Sequence, residues 1–277
     1  MMIRTRIAAL AALIPALCLG AVHARTGPYF NGVTTDKVVQ VHLLEGWRMG
    51  NGRHMAAIQI TLAPGWKTYW RTPGQGGIPT RLRLDRGTGV HGMRMHWPPP
   101  QVFITDGIRS IGYEGGVILP VELATATDGA VAIEGRVDMG VCRDVCLPVT
   151  VDIKGILPSA RRRDPQIVAA LADRALTAAE AGVGAATCVI TPIPDGVQVQ
   201  ARMQVPPVGA NETVVFELPD PGIWISDAIS QRQGNQVTAT ADIVPADAGP
   251  FALNRGDLRI TVLGQRMAVE LNGCTAG

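Results

Sequence analysis

Between Val38 and Pro158 apolar and polar residues alternate in short runs closed by glycine or proline, and this period of two is the strongest constraint on the fold. Successive side chains of a strand point to opposite faces, so such runs describe half-buried antiparallel strands. They are Val38 to Leu43, Ala56 to Leu62, Thr80 to Leu84, Val117 to Leu123, Val131 to Val137 and Val149 to Ile153. The same texture returns in Val197 to Met203, Glu212 to Leu218, Gln236 to Val244, Leu258 to Leu263 and Met267 to Leu271. Between the two β regions, Asp164 as N-cap and Pro165 at the first helical position predict a helix over Gln166 to Ala181. The triplet Arg161-Arg162-Arg163 before it reads as a solvated linker. The expected architecture is therefore all-β: a β-sandwich over 25–158, a linker helix within 159–184, and a second small β-sandwich over 185–277.

Residues 1–24 read as a secretory signal peptide, because Arg4 and Arg6 precede the apolar run Ile7 to Val22, which ends in Val22-His23-Ala24. Leu17 is bulky where a lipidation site before Cys18 requires a small residue, so Cys18 is expected to leave with the signal. No later stretch is apolar and long enough to span a bilayer. The mature chain is expected to be exported into an oxidising space. Its charge is balanced: of 25 basic and 23 acidic residues, removal of Arg4 and Arg6 leaves equal numbers. That balance argues against a nucleic-acid partner.

Four cysteines then remain of five, and spacing favours pairing Cys142 with Cys146 and Cys188 with Cys274. The second bridge brackets the second β region and reads as structural, since closing so long a loop contributes roughly 4 to 5 kcal/mol. The first closes a very short loop and adds little by that route. A disulfide needs Cα atoms roughly 4.4 to 6.8 Å apart, whereas four residues of extended strand span about 13 Å. Arg143-Asp144-Val145 must therefore turn, and a hairpin tip between the flanking strands is the natural solution. Such a bridge is either a quiet structural link or an exchanging one. Zinc ranks last, because no second close cysteine pair or nearby histidine completes a ligand set. No metal and no cofactor is called for.

The segments Leu62-Ala63-Pro64-Gly65-Trp66-Lys67-Thr68-Tyr69-Trp70-Arg71-Thr72-Pro73-Gly74, Trp97-Pro98-Pro99-Pro100, Gly112-Tyr113-Glu114-Gly115 with Leu119-Pro120, and Cys142-Arg143-Asp144-Val145-Cys146-Leu147-Pro148 follow one another in a recognisable order. Together, over about residues 35 to 155, they resemble the N-terminal periplasmic domain of the DsbD/ScsB family of membrane disulfide reductases, the ScsB branch above all. The resemblance implies an immunoglobulin-like sandwich in the periplasm, acting as a protein-disulfide reductase. Its redox pair, Cys142 and Cys146, would take electrons from a membrane-embedded thiol reductase and pass them to periplasmic thioredoxin-fold proteins, with Cys146 forming the mixed disulfide. Full-length family members continue into a membrane domain and a thioredoxin-like domain. Neither is present in this sequence, so the electron supply is expected to come in trans.

The family also covers its disulfide with a loop, for which Tyr69 to Gly77 is the candidate and Tyr69 or Trp70 the shielding side chain. The plain alternative for both aromatics is core packing. Glu114 is a candidate auxiliary group, a carboxylate near the cysteines able to take protons during exchange. His91-Gly-Met-Arg-Met-His96 offers soft copper ligands, but alternation sets Met93 and Met95 on one face and splits His91 from His96. Two other functions stay open beside the relay: a non-enzymatic binding or chaperone module with two structural disulfides, and a copper-handling protein.

Overall fold

A computed structural model of the chain describes residues 29–30, 33–246, 251–265 and 267–277. The signal-peptide expectation for 1–24, Cys18 included, lies outside the described residues. The fold is all-β and immunoglobulin-like, built as two sandwiches with separate hydrophobic cores. No described helix is long and apolar enough to cross a membrane.

The first sandwich contains β1 (Val39–Gly50), β2 (Arg53–Leu62), β3 (Lys67–Gly74), β4 (Arg81–Leu84), β5 (Val90–Met95), β6 (Gln101–Thr105), β7 (Ile108–Glu114), β8 (Gly116–Thr125), β9 (Val131–Cys142) and β10 (Cys146–Leu157). One sheet has the order β1-β2-β8-β5; the other runs β10-β9-β3-β7-β6, with β4 also on β9. The inward residues of both sheets, among them Ile58, Ile60, Trp70, Leu119, Leu123, Met139 and Leu157, form the core. Strands extend further than alternation alone indicates. In particular, β9 and β10 run up to the two cysteines, which are the last cross-strand pair of the hairpin.

The helix is shorter than its alanine-rich sequence suggests. Asp164 caps it as expected, accepting from the amides of Gln166 and Ile167, but it spans only Pro165–Ala172. Ile167, fully buried against Met55 and Ala57, docks it on the outer face of the first sandwich. Beyond Ala172, Leu176–Thr177 forms a two-residue strand, and Val183 enters the second core. Tertiary pairing thus overrides the helix propensity of the alanines between Ala175 and Ala181.

The second sandwich contains β11 (Ala186–Ile193), β12 (Gly196–Gln204), β13 (Thr213–Glu217), β14 (Ile223–Ile225), β15 (Ile229–Gln233), β16 (Gln236–Pro245), β17 (Arg259–Leu263), β18 (Ala268–Asn272) and β19 (Cys274–Ala276). Its sheets have the orders β14-β16-β12-β11-β19, with β15 on β16, and Leu176–Thr177 followed by β18-β17-β13. The sandwiches are not independent. Val215, Leu263 and Ala268 of the second pack into the first core, and Arg71 reaches across to form ion pairs with Glu217 at 2.8 Å and Glu270 at 2.7 Å. Arg109 adds a third cross-link, to Asp227 at 3.0 Å.

Candidate functional site

Strand β9 alternates between buried and exposed residues until Asp138, then is buried on both faces from Met139 to Cys142. The change marks where something covers its outer face, and the cover is Tyr69. Cross-strand partners share a face, and β9 pairs Val141 with Thr68 and Cys142 with Lys67. Lys67, Tyr69 and Cys142 therefore project outward, while Thr68 and Trp70 turn inward.

The Cys142–Cys146 disulfide closes the hairpin tip with Cα atoms 4.2 Å apart. Its two sulfurs have different surroundings. Cys142 is 4% exposed, whereas Cys146 is exposed at the tip. The Tyr69 hydroxyl donates to Cys142 Sγ at 2.9 Å and lies 3.4 Å from Cys146 Sγ. Burial pushes the Tyr69 phenol above its ordinary pKa, so it stays a protonated donor.

Two glycines make room for this ring. A Cβ on Gly77 would come within 2.5 Å of Tyr69 Cδ1, and one on Gly140 within 3.1 Å of Tyr69 Cδ2, so the ring lies in a slot between them. The chain after β3 folds back over Tyr69 to close that slot, held where the Gly140 amide donates to the Ile78 carbonyl at 3.2 Å. Thr68 anchors the strand from beneath, donating to the Gly140 carbonyl at 2.9 Å, and Thr80 donates to the Tyr69 carbonyl at 3.0 Å. Ile78, Ile108 and Val145 leave exposed apolar surface around this arrangement.

Charged side chains gather at the tip, with Lys67 directly opposite Cys142. Arg143 pairs with the neighbouring Asp144 at 2.9 Å and stacks over the Trp66 ring at 5.4 Å. Glu114 stands opposite Lys67 on β7, in the same cross-strand row as Cys142 but two strands away, roughly 10 Å at ordinary strand spacing. None of the hydrogen bonds among the described residues joins it to either sulfur.

Of the residues singled out in the sequence, the structure brings Tyr69, Cys142 and Cys146 together. Trp70 is corrected: at 2% exposure it belongs to the sandwich core and covers no sulfur. Its neighbour in sequence does so because adjacent strand residues face opposite ways. Cys188 and Cys274 are bonded, with Cα atoms 5.8 Å apart, tying β11 to β19. Met93 is exposed and Met95 packs against the first core, while His96 Nε2 lies 3.6 Å from Glu122 Oε2. Among the described residues no group of three or more His, Cys, Asp or Glu side chains is placed to hold a metal ion. Sequence reasoning reached Gly77 only as the end of the cap segment, and it missed Gly140 on the other side of the slot, the anchoring roles of Thr68 and Thr80, and the inter-sandwich pairs of Arg71. A glycine two residues before a cysteine, on the same strand face, was the available signal for Gly140.

Residues 40–158 match the family described as the N-terminal domain of the thiol:disulfide interchange protein DsbD. The fold is also similar to the crystal structure of the N-terminal periplasmic domain of ScsB from Proteus mirabilis, with a TM-score of 0.65 and 23% sequence identity over 87% of this chain and 94% of that one. So wide a coverage cannot be met by the first sandwich alone and takes in much of the second. No curated protein sequence matches the chain.

Proposed function

We propose that this chain, whose residues 40–158 belong to the DsbD N-terminal family, is a periplasmic protein-disulfide reductase that relays electrons through Cys142 and Cys146. A membrane-embedded thiol reductase supplies the electrons, and thioredoxin-fold proteins of the periplasm receive them. The observation that carries this reading is the unequal exposure of one tight disulfide: Cys146 is open at a hairpin tip and Cys142 is buried beneath Tyr69. Thiol–disulfide exchange needs an in-line approach to one sulfur, and exposure favours Cys146 as that sulfur. Apolar Ile78, Ile108 and Val145 around it provide surface for a partner to dock.

Tyr69 and the segment to Gly77 act as the cap over the pair, and the Cys188–Cys274 bridge is structural. The sandwich over 185–277 has a supporting role. Its Glu217 and Glu270 hold Arg71, two residues beyond Tyr69, and so fix the strand that carries the phenol.

The test is the reduction potential of the Cys142–Cys146 pair, obtained by equilibrating the mature protein in thiol buffers and trapping free thiols by mass. A value between about −180 and −270 mV, the range of exchange proteins, is expected. A value below about −300 mV, typical of structural disulfides, overturns the relay and leaves a binding module with two structural bridges.

A further inference from the structure

We propose that Tyr69 is a catalytic hydrogen-bond donor of the exchange reaction, stabilising Cys142 as the leaving thiolate when a partner attacks Cys146. The proposal rests on the relay reading and adds to it a chemical role beyond shielding. In the first step a partner thiolate attacks Cys146 Sγ. A partner–Cys146 disulfide forms, the Cys142–Cys146 bond breaks, and its electron pair departs on Cys142 Sγ. The partner's second thiol, deprotonated, then attacks its own sulfur in the mixed disulfide and releases Cys146. The partner is oxidised to a disulfide, the pair is reduced by two electrons, and the two protons lost by the partner's thiols pass to the two cysteines. The phenol keeps its own proton throughout and contributes only a hydrogen bond.

Three features of the geometry support this. The phenol has one proton and three acceptors within reach: Cys142 Sγ at 2.9 Å, and Cys146 Sγ and the Gly76 carbonyl, both at 3.4 Å. The shortest contact is to the sulfur that must leave if the exposed one is attacked. Negative charge developing on Cys142 would otherwise be desolvated, because the residue is 4% exposed, and no other side-chain donor reaches it among the described hydrogen bonds. A buried anion without a donor is costly, and a pre-placed one lowers the barrier without reorganisation. Finally, the ring is held between Gly77 and Gly140 and its backbone is paired with Gly112. The donor is therefore fixed before reaction, unlike a side chain on a free loop.

Tyr69→Phe removes the hydroxyl and leaves a ring that fills the same slot. In the mature protein its Cys142–Cys146 bond should react with dithiothreitol about 10- to 100-fold more slowly than wild type, the usual effect of losing a hydrogen bond to a charged group. In a Cys146→Ser background, the Cys142 thiol should ionise at higher pH when Tyr69 is Phe, followed by thiolate absorbance. The charged groups near the pair, Lys67, Arg143, Asp144 and the more distant Glu114, are the same in both proteins, so the difference reports the phenol. Gly77→Ala, which forces the ring aside, should slow the reaction in the same direction even where Tyr69→Phe destabilises the fold. Equal rates and equal thiol ionisation with and without the hydroxyl overturn the role of Tyr69 while leaving the relay intact. A wild-type bridge that resists the dithiol overturns the relay itself, and the role of Tyr69 with it.

Discussion

The Cys142–Cys146 and Cys188–Cys274 bridges both join neighbouring strands in the larger sheet of their sandwich, yet one closes a separation of 4 residues and the other a separation of 86. Loop length governs how much a cross-link restricts the unfolded chain, and exposure governs whether a thiolate can reach it. The long bridge has its first sulfur buried in the second core, at Cys188. The short one lies at a tip, half open and half under a phenol. In the proposed relay the same covalent bond serves as a staple in one sandwich and as a reactive group in the other, and the difference in loop length and exposure comes from position in the fold.

Breaking the staple should produce the largest effect. Replacing Cys188 and Cys274 by serine is expected to lower stability by roughly 4 to 5 kcal/mol, read from denaturant unfolding. An unchanged midpoint would show that the second sandwich does not depend on its bridge. Next comes the joint between sandwiches. Glu217→Gln leaves Arg71 short of one of its two partners in a largely desolvated site and should cost about 3 kcal/mol. Burial alone would raise the Glu217 pKa, but the hydrogen bonds and charge of Arg71 outweigh it and hold the carboxyl below its ordinary value. A carboxyl lowered in the folded state stabilises above its unfolded pKa of about 4.3, and that contribution is lost as pH falls through the folded value. Stability should therefore decline on acidification below about pH 4, and Glu217→Gln should flatten that decline in an acid titration.

Replacing Cys142 and Cys146 by serine sharpens the contrast from the other side. So short a loop is worth only about 2 kcal/mol in chain entropy, so the fold should survive while exchange with a dithiol is abolished. Smallest of all should be the loss of stability in Tyr69→Phe, about 1 kcal/mol or less for one neutral hydrogen bond. That variant should nevertheless slow exchange. A mild dithiol applied to wild type should free two thiols, from 142 and 146, and leave 188 and 274 bonded; release of all four together would erase the distinction between the bridges.

Much of the fold was legible because period-two alternation is a local property. The runs at Ala56 to Leu62, Val131 to Val137 and Gln236 to Val244 each fall within an observed strand. The cap of the helix was legible for the same reason, since Asp164 and Pro165 act on adjacent residues. Its end was not, because Leu176–Thr177 finds β18 through residues about ninety positions away. Tyr69 and Trp70 show the same limit at the site. Their sequence placed them together as aromatics beside glycine, but only the pairing of Thr68 with Val141 decides which of the two turns toward sulfur.

By itself the sequence determined the all-β character, the favoured pairing of Cys142 with Cys146 and the turn that Arg143-Asp144-Val145 must then make. These follow from side-chain alternation and the short reach of a disulfide. Tertiary structure alone decided that Cys142 is covered and Cys146 open, that Gly77 and Gly140 clasp one ring, and that Arg71 is held by Glu217 and Glu270. Each of these depends on which distant strands lie side by side, and that is set by burying two cores at once rather than by any local preference.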